Sequence, residues 1–137
     1  MSAVQNETLS VVVERDFPHP PDKLWRALTQ PHLIEEWLMT CGDFQPVVDH
    51  RFGFQAEWGA VDCVVTAVEP GKVLAYTWTG LGIDSVVTWT LTPTDAGTLL
   101  RMEQTGFQPG QRQAYHGARH GWPRFLAQLE QVLARAE

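Results

Sequence analysis

Hydrophobic and polar positions change period three times along this chain, and each change marks an element. Residues 9–16 are rich in valine and predict a first strand. Pro18, Pro20 and Pro21 end it and suit entry into a helix. Residues 22–29 carry Leu24, Trp25 and Leu28 as one apolar stripe of a short helix. Pro31 stops that helix and opens a second over 32–38. Runs of β-branched and aromatic residues at 50–56, 61–68, 73–79, 84–92 and 98–105 then predict five strands. The turn formers between them (Trp58-Gly59, Pro70-Gly71, Gly80 to Gly82, Asp95-Ala96-Gly97) leave room only for hairpins, so the sheet is an antiparallel meander.

Alternation puts Leu74, Tyr76 and Trp78 on one face of their strand, Val87, Trp89 and Leu91 on one face of the next, and Leu100 with Met102 on the last. Thr88, Thr90, Arg101 and Glu103 fall on the wetter side. After Pro109-Gly110 the period returns to that of a helix, with Trp122, Phe125, Leu126, Leu129, Val132 and Leu133 on one face and Gln128, Gln131 and Arg135 on the other. Pro123 cannot donate to the carbonyl of Arg119, which predicts a kink or a restart near Gly121. The expected architecture is α+β: a curved antiparallel sheet wrapped around a long C-terminal helix, with two short helices after the first strand. Residues 1–8 are expected to be a flexible terminus and 9–137 one domain.

Composition narrows the function. At 44% hydrophobic, with six Trp and six Phe, 137 residues can bury a real core. Sixteen acidic against ten basic side chains give a net charge of −6, which disfavours nucleic acid and anionic lipid as partners. No stretch approaches the roughly 20 apolar residues of a membrane helix, and MSAVQNETLS has neither the basic start nor the apolar run of a signal peptide. Cytoplasm is the expected compartment, and the Asn6-Glu7-Thr8 glycosylation pattern then carries no meaning. Cys41 and Cys63 form no metal or disulfide pattern and read as reduced thiols without a basic neighbour to activate them.

The segments that carry a family likeness are FPHPPDKLWRALTQPHLIEEWLM (17–39), EPGKVLAYTWTG (69–80), SVVTWTLTPTDAGTLLRMEQTGF (85–107) and HGWPRFLAQLEQVL (120–133). In order and spacing they resemble the SRPBCC superfamily, which includes START lipid-transfer domains, the birch-pollen allergen family and polyketide cyclases. Within it they are most similar to the branch named after the activator of the 90-kDa heat-shock protein ATPase. The resemblance implies the helix-grip (START-like) fold and a cavity between sheet and final helix. The heat-shock-protein activators carry a further N-terminal domain, for which the eight residues before the first strand leave no room, so a chaperone partner is a secondary expectation. A homodimer through an edge strand is left open.

Such a cavity would be lined by Trp37, Phe52, Phe54, Trp78, Trp89, Met102, Tyr115, His116, Arg119 and Trp122, an apolar wall with a few orienting polar groups. The same aromatics could instead simply fill the core. His116 and His120 are one helical turn apart, but Arg119 lies between them and no third ligand or accompanying glutamate is identifiable, so no metal is expected. His50, Asp49, Asp62, Asp84 and Glu103 are the acid–base candidates, and they compose no triad. Gly80-Leu81-Gly82 lacks the lysine and following helix of a phosphate loop. No cofactor or catalytic residue is assigned. The leading expectation is binding of a small hydrophobic or amphipathic molecule. The alternatives are a cyclase- or hydrolase-like enzyme using the same cavity, with His116 or Arg119 as its polar residue, and a protein-interaction module with a filled core and an exposed apolar patch.

Overall fold

The strands form one six-stranded antiparallel sheet in the order β1-β6-β5-β4-β3-β2 in a computed structural model, which describes residues 9–57, 59–80 and 82–135. The expected flexible terminus at 1–8, and Trp58 and Leu81 of two expected turns, lie outside the described residues. The elements are β1 (Leu9–Phe17), α1 (Pro21–Thr29), α2 (Pro31–Trp37), β2 (Arg51–Ala56), β3 (Gly59–Glu69), β4 (Val73–Gly80), β5 (Ile83–Pro93), β6 (Thr98–Phe107) and α3 (Arg112–Arg135). Five strands follow one another as hairpins, and β1 closes the sheet's far side by pairing with β6. Two short helices and a long final one against a curved antiparallel sheet make this an α+β helix-grip-like fold.

Inward-facing alternation is realised residue by residue. Leu74, Tyr76, Trp78, Val87, Trp89, Leu91, Leu100 and Met102 are all buried, whereas Thr88, Thr90, Arg101 and Glu103 keep partial contact with water. Across the concave face, α3 buries Trp122, Leu126, Leu129, Val132 and Leu133. Ion pairs tie its second half to both neighbours: Glu130 to Arg15 of β1, and Arg135 to Glu36 of α2. Of the kink or restart expected near Gly121, the restart does not occur: one helix runs through Pro123, and Pro123 and Arg119 are both exposed, so water can meet the carbonyl that lacks a donor.

A single glycine changes the parity of β6. Leu9 of β1 pairs with Phe107 and Ser10 with Thr105, leaving Gly106 as the extra residue of a bulge at φ 109°. Alternation continued from Met102 and Gln104 would place residue 107 on the outer face. The bulge turns Phe107 inward instead, where it is buried.

Candidate functional site

The small residues of α3 create the site. Ala114, Gly117, Ala118 and Gly121 recur at helical spacing along one side of the site, with Gly117 itself exposed, and Phe125 continues the row as its first bulky residue. A Cβ built on Gly117 or Gly121 would meet nothing within 4 Å. Above this thin half of the helix lies a cavity of about 310 Å³. Val61, Trp78, Gln104 and Phe107 line it from the sheet, and Trp122, Phe125, Met39 and Ile83 also line it. Among the described residues the lining carries no ionisable side chain; its polar side-chain groups are the Gln104 carboxamide and the indole N–H groups of Trp78 and Trp122.

Gln104 is held by a directional chain of hydrogen bonds. The indole Nε1–H of Trp122 donates to its Oε1 at 2.8 Å, its Nε2 donates to Ser85 Oγ at 3.0 Å, and the Ser85 hydroxyl donates to the carbonyl of Trp78 at 2.9 Å. An indole N–H can only donate and a backbone carbonyl can only accept, so the two ends fix which way the carboxamide lies. Both Ser85 and Gln104 are 2% exposed. Buried polar groups of this kind persist because each has a partner.

The ten residues expected to line a pocket do not share one. Trp78 and Trp122 stand in the cavity wall. Trp37, Phe54, Trp89 and Met102 are fully buried outside it, in the packed core. The rings form a continuous chain: Trp37 meets Trp89 at 5.7 Å between centroids, Trp89 meets Trp122 at 5.6 Å, Trp122 meets Trp78 at 5.4 Å, and Trp78 meets Phe54 at 5.2 Å. The first three contacts are edge-to-face and the last is tilted, and together they fill the middle of the grip with rings. Phe52 packs edge-on to Phe44 and Tyr76. Tyr115 and Arg119 turn away from the cavity to an open groove beside β1, where the Arg119 guanidinium lies 5.8 Å from the Tyr115 ring. His116 and His120 are exposed to solvent.

Gln104 and Ser85 escaped the sequence reading, although strand parity carried the signal: Gln104 continues the inward row of Leu100 and Met102, and Ser85 that of Val87 and Trp89. The Ala114-Gly117-Ala118-Gly121 spacing carries an equal signal, since small residues at helical intervals leave space beside a helix.

The acid–base candidates lie outside the cavity. The Nε2–H of His50 donates to the carbonyl of Asp43 at 3.0 Å, Asp84 accepts from Thr79 at 3.4 Å, and Glu103 pairs with Arg101 at 3.2 Å. Burial pushes the thiol of Cys41 up to about 11 and that of Cys63 up to about 12, with Glu35 and Asp62 respectively adding to the effect. Tyr76, fully enclosed and accepting a hydrogen bond from Trp89 Nε1 at 2.9 Å, is raised well above the ordinary phenol range by burial. Both thiols and the Tyr76 phenol are neutral at physiological pH. Among the described residues, no group of three or more His, Cys, Asp or Glu side chains is placed to hold a metal ion, and no helix is long and apolar enough to cross a membrane.

A family model described as activator of Hsp90 ATPase homolog 1-like protein matches residues 18–134. The chain belongs to that family. Among solved structures, this family member is 60% identical to protein MLL2253 from Mesorhizobium loti, with a TM-score of 0.90, covering 94% of this chain and 99% of that one. CalU16 from Micromonospora echinospora is 25% identical at a TM-score of 0.80, over 92% of this chain and 74% of that one. DynU16, a protein of the dynemicin biosynthetic locus, is 26% identical at a TM-score of 0.82, over 92% of this chain and 47% of that one. None of the curated proteins matches.

Proposed function

We propose that this family member binds a small, largely apolar molecule in the cavity between the thin half of α3 and the sheet. The observation that carries the reading is the cavity of about 310 Å³ itself, walled by Trp78, Trp122 and Phe107, with the Gln104 carboxamide among them. Small-ligand sites are concave and apolar, with a few fixed polar groups. A void kept open by two helix-interior glycines costs helix stability that alanine would restore, so its retention asks for a use. The occurrence of a similar protein, DynU16, in a biosynthetic locus agrees with a small organic molecule as the occupant. The lining offers no group to move a proton among the described residues, which favours binding over the cyclase- or hydrolase-like alternative. The expected cytoplasmic setting fits two buried cysteines that remain free.

Quenching of tryptophan fluorescence by naphthalene tests this reading, since Trp78 and Trp122 wall the cavity. The native protein is expected to show saturable binding and Ala118→Leu, whose added side chain occupies the void, to lose it. Non-saturable quenching of the native protein, or equal binding by the variant, would overturn the reading.

A further inference from the structure

We infer that the occupant is an uncharged, ring-bearing molecule with one carbonyl or hydroxyl group, and that the Gln104 carboxamide reads that group. This rests on the cavity being a ligand site. Three features lead to it.

The first is charge. Among the described residues no cation or anion lines the cavity, so an ionised group held against the lining would lose its water without gaining a counter-charge. The second is shape. The indoles of Trp78 and Trp122 meet at 61° in the wall, presenting broad aromatic surface that a flat ring can contact edge-on or offset. The available 310 Å³ corresponds to about ten waters of liquid volume, which suits a skeleton of roughly ten non-hydrogen atoms.

The third is the polar handle. Trp122 takes one lone pair of Gln104 Oε1 and Ser85 takes one N–H of Nε2. A carboxamide has two of each, so one lone pair and one N–H of this lining residue are left without a protein partner. These can accept from a ligand hydroxyl or donate to a ligand carbonyl or hydroxyl. Because Trp122 and the Trp78 carbonyl lock the chain's direction, the carboxamide cannot flip to suit a different ligand. It is a fixed reader, placed to determine specificity.

Three probes of one skeleton separate the possibilities: naphthalene, 2-naphthol and 2-naphthoate, titrated near neutral pH into the native protein by calorimetry. We expect 2-naphthol to bind about three- to tenfold tighter than naphthalene, the worth of one net hydrogen bond. Naphthoate should bind at least about tenfold more weakly than naphthol. In Gln104→Leu the preference for naphthol over naphthalene should vanish while naphthalene still binds. Equal affinity for naphthol and naphthalene, tighter binding of naphthoate, or a Gln104→Leu variant that keeps the naphthol preference would each overturn this inference and leave the cavity a ligand site. Failure of all three probes to bind the native protein would remove the ligand-site reading, and this inference with it.

Discussion

The indole of Trp122 and the carboxamide of Gln104 meet at 2.8 Å, and that hydrogen bond joins α3 to β6 where the packed core ends and the cavity begins. Below it the rings of Trp89 and Trp37 fill the grip. Above it the helix presents only alanine and glycine until its first turns. One residue pair thus fixes both the seat of the helix and the floor of the void.

Gln104→Leu is expected to destabilise the protein by about 1–3 kcal/mol, because it strands the Trp122 N–H in a buried place. Adding Trp122→Phe removes the stranded donor, so the double variant should be more stable than the sum of the single changes predicts. Urea denaturation of the four proteins measures the coupling. Strict additivity would mean that the two side chains do not share a bond in solution.

Gly117→Ala and Gly121→Ala should each stabilise the fold by about 0.5–1 kcal/mol, since both positions are helix-interior and a Cβ there meets nothing within 4 Å. A raised denaturation midpoint in both is the expected outcome. A lowered midpoint would show that the face is already filled.

Gly106→Ala should act in the opposite direction. Position 106 has φ 109°, and an added Cβ would lie 2.8 Å from the Asp84 carbonyl oxygen. A loss of about 1–3 kcal/mol is expected from the backbone conformation alone. Unchanged stability in denaturant would mean that the bulge turning Phe107 inward is not fixed by this glycine.

Cys41 and Cys63 give a pH dependence whose sign follows from their burial. Their folded values, about 11 and about 12, lie above the ordinary thiol value of 9.0. Below pH 9 both states keep the proton. As pH rises past 9 the unfolded chain loses its thiol protons first, so the stability these groups contribute falls until the folded values are reached. Replacing both cysteines with alanine should flatten the decline in denaturation midpoint between pH 9 and about 11. A native protein whose midpoint declines no more than the variant's would show the thiols to be solvated.

The succession of elements along the chain, the inward faces of β4, β5 and β6, and the buried stripe from Trp122 to Leu133 were legible because period-2 and period-3.6 patterns are local properties of sequence, whereas the pairing of β1 with β6 is not. The site was less legible, for two physical reasons. Whether Trp37, Trp89 and Met102 line a void or plug it depends on how rings from four elements interlock, which periodicity does not encode. The orientation of Tyr115, His116 and Arg119 depends on the rotation of α3 about its axis, which Trp122 and the leucines beyond it set by burying their own face. In the structure Ala114, Ala118 and Gly121 line the cavity, whereas Arg119, three residues before Trp122, borders the groove beside β1 and His116 is exposed.

Crystals pressurised with xenon test most directly whether the thin half of α3 leaves an apolar void. Xenon should appear between Ala118, Trp78 and Trp122, and should be absent there in Ala118→Leu. Native crystals with no xenon at that place, and with the Ala118 methyl packed against the Trp78 ring, would contradict the cavity and everything proposed for it.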